Sequence, residues 1–306
     1  MGTTWSVRAV VGDDGPVGDL ERRIEATLAE QIAVFSHWDP TSELSRFNDA
    51  APGRIPVSPA LWSVVEAALD LARQTAGALD PTLGALVDLW GFGPPGPRDA
   101  ARPLPDPQAI ERATARTGWR RLEPDARTRT LVQPGGLRLD LSGIAKGHAV
   151  DRVSDVLTSM GVHHHLVEIG GELRGRGIKP DGLPWWAEIE DPAGASPRTL
   201  VALQDLALAT SGDAARGFEV GRARFSHTLD GRTGWPIDNG VTSVSVLTET
   251  ARAADALATA LSVLGPRDGL IFAETHGIAA LVTTRIAGRT VEHISPAAQA
   301  MLEAGA

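Results

Sequence analysis

The stretch from Ala253 to Pro266, AADALATALSVLGP, carries a single charge, Asp255. Its composition predicts a helix over 249–264 that is apolar all round, and such a helix is buried. A buried carboxylate is costly unless it is paired or holds a cation. Thr259 follows four residues later, on the same helical face. A carboxylate and a hydroxyl so placed form a hard-oxygen pair suited to Mg²⁺ or Ca²⁺. The alternative is that an arginine elsewhere in the chain neutralises Asp255. A second stretch, LRLDLSGIAKGHAVDRV at 137–153, sets Asp140 and Ser142 at the end of an expected strand, Gly143 at a turn and Lys146 in the first turn of an expected helix. Strand-to-helix turns of this kind bind phosphate through backbone N–H groups and charge. The same residue types also cap helices. A third stretch, RFSHTLDGRTGWPIDNG at 224–240, is dense in polar side chains. His227 within it could act as a general base, although the string reads more simply as a wide hairpin with Gly and Asn turns.

Other strings carry less. GFGPPG at 91–96 has the spacing of a dinucleotide-binding loop. Pro94 and Pro95 cannot open the helix that such a loop requires, and no strand precedes it. No Walker sequence is present. His163 and His165 would share a face of a strand, but a metal needs a third protein ligand, and none stands at ligand spacing. Of 29 basic residues only Lys146 and Lys179 are lysines, which draws attention to Lys146.

The elements that must position these residues follow from periodicity. A strand is expected at 4–11. Leu20, Ile24, Leu28 and Ile32 recur at spacing four, giving an amphipathic helix from Gly18 to Phe35. Trp38 then falls on a loop. A second helix is expected at 59–76, a Gly/Pro-rich loop at 91–107 and a short helix at 107–117 capped by Asp106. Strands are expected at 119–123, 129–133 and 137–141, then a helix at 144–160 closed by Gly161. Further strands are expected at 163–169, 172–177, 185–190, 198–203, 206–210, 222–228 and 241–247. The helix 249–264, a helix near 266–275, strands at 278–284 and 289–293 and a terminal helix complete the chain. Strands and helices mixed without strict alternation point to an α+β fold.

Length and composition narrow the function. A chain of 306 residues makes one large domain or two intimate ones. The net charge of −9 argues against a nucleic-acid partner. The absence of cysteine excludes disulfides, thiolate metal sites and cysteine nucleophiles. No apolar run approaches the roughly 18 residues that would suggest a transmembrane segment. The opening MGTTWSVRAVVGDD shows no basic segment followed by an apolar one. A cytoplasmic location is therefore expected for the sequence as it stands, or export if a leader was removed.

Together these strings resemble the FAD:protein FMN transferases, the ApbE-type flavin transferases. The resemblance runs from the first residues to about residue 283. It is carried by MGTTWSV (1–7), WDPTSELSRFN (38–48), GALDPTLGALVDLWGFGP (77–94), LDLSGIAKGHAVD (139–151), LVEIGGELRGRG (166–177), ATSGD (209–213), SHTLDGRTGWPIDNG (226–240) and ADALATAL (254–261). It implies a single flavin transferase domain over 1–306, a compact α+β unit of the ApbE or T-fold type with two lobes around an FAD cleft. It implies Mg²⁺-dependent transfer of FMN from FAD to a Ser or Thr hydroxyl of an acceptor flavoprotein, with release of AMP. The closest alternatives are an FAD pyrophosphatase and a non-catalytic FAD-binding protein. In the same way it implies that Met1, Trp38 and Ala78, Leu79 and Asp80 line the FAD site, with Trp38 near a ring of the ligand. Asp140 would hold the ligand, with Lys146 beside it. The main-chain oxygen of Gly143, the carboxylate of Asp255 and the hydroxyl of Thr259 would hold Mg²⁺, and His227 would be the catalytic residue.

Overall fold

The computed structural model describes residues 3–12, 17–96, 103–189, 199–212, 217–221, 223–286 and 288–304. The chain divides into two compact units. The first comprises Met1–Gln31, Gly143–Gly212 and Gly240–Ala306, and the second Ile32–Ser142 and Asp213–Asn239. Both mix helix and strand, as the α+β expectation requires.

The first unit is built on a seven-stranded sheet. Its strands are β1 (Trp5–Ala9), β2 (His165–Ile169), β3 (Glu172–Arg176), β4 (Leu206–Gly212), β5 (Val241–Thr248), β6 (Ala279–Ile286) and β7 (Arg289–Ile294). They lie side by side in chain order, every neighbouring pair antiparallel. Strand side chains alternate between faces, and the apolar residues divide accordingly. Val167, Ile169 and Ala207 pack with the helices α1 (Val17–Phe35) and α2 (Ala145–Ser159). Val244, Val246, Ala280 and Val282 pack under α3 (Ala251–Thr275). Leu166, Leu208, Leu247 and Leu281 face the other way, against the ribbon Trp185–Ile189 and Thr199–Leu203 and the terminal helix α4 (Pro296–Ala304).

The spacing-four leucines and isoleucine of α1 are where the sequence puts them, with Leu20, Ile24 and Leu28 buried. Thr250 caps α3 by accepting the N–H of Ala253. The two helices expected at 249–264 and 266–275 form one element with a break at Gly265, whose φ of 82° precedes Pro266. Among the described residues α3 is the one helix long and apolar enough to cross a membrane, and half of its apolar window is buried within the protein. Its packing on β4, β5 and α2 makes it a core helix.

The second unit has shorter elements. Helices occupy Glu43–Asn48, Pro59–Gln74, Gly84–Trp90 and Pro107–Thr114, and a three-stranded sheet joins Gly53–Pro56, Thr130–Gln133 and Pro124–Asp125. Asp106 caps the last of these helices, accepting from the N–H of Ala109. Trp90 centres the core with Leu83, Leu86, Ile110 and Leu229, and its indole N–H donates to the Gly234 carbonyl at 2.9 Å. The strands expected at 119–123 and 137–141 are absent. Residues Trp119–Arg121 form a 3₁₀ turn entered through Gly118, with φ of 115°. Residues 137–141 are linked to strand structure only by an isolated bridge from Arg138 to Leu83. Of the strand expected at 222–228 only Ala223–Phe225 forms among the described residues, and a separate short strand follows at Leu229–Asp230.

Candidate functional site

In the first unit the N-terminal turn of α2 meets α3. Gly143 precedes α2, and a side-chain carbon there would lie 2.7 Å from the Thr259 hydroxyl oxygen. Only glycine allows this approach, which brings the Gly143 main chain and the Thr259 side chain to one place. Thr259 also lies 3.2 Å from the Ser211 hydroxyl. Asp255, one helical turn before Thr259, is 3% exposed, and its carboxylate accepts the N–H of Gly147 at 2.9 Å. Burial raises its pKa, against the pull of the Lys146 charge and of backbone N–H groups at Gly147 and Lys146. The neighbour that holds Asp255 is thus the start of α2 and its lysine.

Lys146 pairs with a carboxylate that the sequence reasoning missed, Glu172. Glu172 opens β3 immediately after the hairpin turn at Gly170 and Gly171, which have φ of 62° and 98°. It is 1% exposed, and its Oε2 is buried without a hydrogen-bond partner among the described residues. Burial, and then the charge of Asp255, push its carboxyl up to about 8, although Lys146 pulls the other way. Two buried carboxylates therefore share one ammonium group. Burial thus disfavours the charged form of both carboxyl groups, which a divalent cation would favour, and the oxygens of Gly143, Asp255 and Thr259 are hard donors of the kind such a cation takes.

The second unit carries the remaining residues. Trp38 stands on the loop after α1 and is 56% exposed, so it is no plug beneath the helix end. His37 beside it tilts against the Trp38 ring, centroids 5.5 Å apart. The His37 Nδ1 lies 3.9 Å from the Asp140 carboxylate, which also accepts the N–H of Ser142 at 2.8 Å. Asp80 is buried and fully engaged. One oxygen accepts from the Thr82 N–H and hydroxyl at 2.8 and 2.5 Å, the other from the Trp119 N–H at 3.0 Å. Burial raises its pKa and these hydrogen bonds oppose the rise. Ala78 and Leu79 are buried, and their N–H groups donate to the Thr75 carbonyl and hydroxyl oxygens at 3.1 and 3.3 Å. His227 is half-buried, its ring edge-on to Phe92 with centroids 6.3 Å apart. Met1 lies outside the described residues.

The histidine run does not form a metal site on β2. His165 is fully buried, one ring nitrogen 2.8 Å from the Ser154 hydroxyl and the other 2.9 Å from the Val162 carbonyl oxygen. Burial lowers its pKa to about 4.

The fold matches that of known flavin transferases. The family model described as the ApbE family matches residues 1–282. The FAD:protein FMN transferase of Vibrio cholerae is 39% identical over 291 residues, covering 93% of this chain and 85% of the relative. That of Haemophilus influenzae is 36% identical over 295 residues, covering 93% and 84%. Among solved structures, the flavin transferase ApbE from Vibrio cholerae superposes with a TM-score of 0.89 at 36% identity, over 98% of this chain and 96% of that one. The apo form of the Pseudomonas stutzeri flavinyl transferase ApbE gives 0.91 at 38% identity, over 100% and 95%. The chain belongs to the ApbE family.

Proposed function

We propose that this protein transfers FMN from FAD to a side-chain hydroxyl of an acceptor flavoprotein, with Mg²⁺ held by the first unit. The observation that carries the metal assignment is the buried Asp255 beside the approach of Gly143 to Thr259. The Gly143 main-chain oxygen, the Asp255 carboxylate and the Thr259 hydroxyl would hold it. The chemistry supplied by a bound Mg²⁺ would be neutralisation of the pyrophosphate and of the charge that develops on the departing AMP.

The protein's own residues do the rest. Lys146, kept in place by Glu172, sets a positive charge beside Asp255 and tempers the repulsion between the two carboxylates. In the second unit Trp38 offers an open aromatic face to a ring of FAD. The main chain at Ala78 and Leu79 and the side chain of Asp140 contact the ligand, while Asp80 holds its loop in shape through Thr82 and Trp119. The acceptor Ser or Thr oxygen attacks the phosphorus on the FMN side. A new P–O bond forms, the anhydride P–O bond breaks and AMP leaves. His227 takes the proton of the attacking hydroxyl.

The test is incubation of the chain with FAD, Mg²⁺ and an acceptor flavoprotein, followed by mass spectrometry of the acceptor. The expected result is an acceptor heavier by one FMN less one water, with one AMP per modification. Free FMN and AMP with an unmodified acceptor would identify a pyrophosphatase. Bound, intact FAD would identify a binding protein.

A further inference from the structure

Two ion pairs of opposite polarity tie α2 to β3. Lys146 meets Glu172, and five residues further along α2 Asp151 meets Arg174 at 2.6 Å. Glu172 and Arg174 are two apart on β3 and share a face. Asp151 does more than close the second pair. One of its oxygens accepts the N–H of Ala251 at 3.0 Å, and the other accepts the N–H of Arg252 at 3.0 Å. These are the first two residues of α3, where N–H groups have no partner within the helix. A carboxylate there also meets the positive end of the helix dipole.

One turn earlier on α2, Gly147 makes the second contact. A side-chain carbon at Gly147 would lie 2.1 Å from the Ala251 carbonyl oxygen, so the two helices touch backbone to backbone. The N–H of the same residue donates to Asp255. Asp255 stands four residues after Ala251, one turn inside the clamped end. The helix that carries Asp255 and Thr259 is therefore fixed to α2 at two points one turn apart, by Asp151 at its first residues and by Gly147 at Asp255 itself. Both points belong to one helix, so a shift at the first is carried to the second.

We propose that Asp151 is a positioning residue for Asp255, acting through its clamp on the N-terminus of α3 rather than through its ion pair with Arg174. The proposal rests on the reading of Asp255 as a Mg²⁺ ligand. Three variants separate the contributions. Asp151→Ala removes both acceptor oxygens. Asp151→Asn keeps one acceptor oxygen and removes the charge. Arg174→Met removes the ion pair and leaves both oxygens in place.

The experiment titrates Mn²⁺, a hard cation that accepts the same oxygen ligands, into the FAD-saturated full chain and counts free Mn²⁺ by electron paramagnetic resonance. Melting temperatures are taken alongside. Loss of an outer partner of a metal ligand weakens metal affinity by about tenfold or more, and that is the expected result for Asp151→Ala. Asp151→Asn should fall between it and the parent, and Arg174→Met should bind Mn²⁺ within about twofold of the parent, well inside that tenfold loss. Should Asp151→Ala not fold, Asp151→Asn decides. Parent-like Mn²⁺ affinity in both Asp151 variants, with lower melting temperatures, would make Asp151 a cap that serves stability alone. An equal loss in Arg174→Met would move the effect from the clamp to the ion pair. Asp255→Ala is the control. If it too binds Mn²⁺ like the parent, the metal reading fails and takes this proposal with it; if it alone loses Mn²⁺, only this proposal fails.

Discussion

The two units carry their chemistry in opposite ways. In the first, Asp255 and Glu172 are 3% and 1% exposed, held between strands and helices of a large sheet. In the second, Trp38 is 56% exposed on a loop, and His227 sits half-buried between two short strands. A buried charge costs folding free energy, so its presence demands an explanation in chemistry. An exposed aromatic ring or a loop histidine costs the fold almost nothing, so its presence demands none. The first unit thus advertises its site through a physical anomaly, whereas the buried carboxylate of the second, Asp80, has both oxygens hydrogen-bonded and raises no such question.

The sharpest way to break this contrast is to remove the anomaly. Asp255→Asn keeps an oxygen to accept the Gly147 N–H, removes a like charge from the vicinity of Glu172 and replaces the carboxylate proposed to hold Mg²⁺ by a neutral amide. Metal-free, the variant should melt higher than the parent at neutral pH, because burial disfavours the Asp255 charge more than Lys146 favours it. Its Mg²⁺-dependent turnover should fall by about a thousandfold, the equivalent of several kcal/mol of lost charge stabilisation. Thermal melts in chelator and AMP release in Mg²⁺ check the two halves. A variant that melts lower and turns over normally would mean that the carboxylate is an ordinary member of the core.

Trp38 probes the other unit, and the opposite pattern is expected. Trp38→Ala should weaken FAD binding by about tenfold, the order of one aromatic stacking contact. Its melting temperature should stay close to that of the parent, since an exposed ring contributes little packing. FAD should also quench tryptophan emission in the parent more than in the variant. Unchanged FAD affinity with a markedly lower melting temperature would place Trp38 in the core instead.

These differences also explain what could be read from the sequence. The apolar run around Asp255 exposed both the burial of α3 and the oddity of its carboxylate, with no need of a relative. Glu172 escaped because EIGGELRGR reads as a polar hairpin, and nothing in its alternation shows that its first residue after the turn is buried. The segment 137–141 has the pattern of a strand, yet side chains satisfy the backbone of Leu137 and Leu139, while Arg138 and Asp140 bond the main chain of Gly84 and Pro81. The Asn48 amide exchanges two hydrogen bonds with Leu139, and the Gln133 side chain binds both polar groups of the Leu137 backbone. Long-range amide clamps of this kind have no periodicity. The helix Gly84–Trp90 was missed because seven residues show barely two turns and Leu83 provides no capping side chain. The residues assigned to FAD in the second unit were legible only through the family resemblance.

The smallest effect expected is the pH dependence contributed by one residue of the first unit, His165, and its sign can be worked out. His165 is buried among Ser154 and Val162, and burial lowers its pKa from 6.5 to about 4. Between those two values the unfolded chain binds the proton and the folded chain does not. Stability contributed by the neutral ring is therefore complete above pH 6.5 and is lost as the pH falls toward 4. Glu172 acts with the opposite sign, because its raised pKa makes the folded chain hold a proton that the unfolded chain releases. His148 on α2, lowered by burial to about 4, acts with the same sign as His165. The contribution of His165 must therefore be isolated by a difference between chains. His165→Gln keeps a donor and an acceptor near Ser154 and Val162 and cannot titrate. Urea unfolding of metal-free parent and variant at pH 7, 6 and 5, values chosen to bracket roughly the window in which the histidine charges, isolates its contribution. The parent should lose its advantage over the variant step by step on acidification. Hydrogen exchange should show the loss at β2 and α2, with the helix Pro59–Gln74 of the second unit unaffected. A constant difference between the two chains across that range would mean that His165 keeps an ordinary pKa in the folded protein, and that Ser154 and Val162 serve it as a cation as well as they serve the neutral ring.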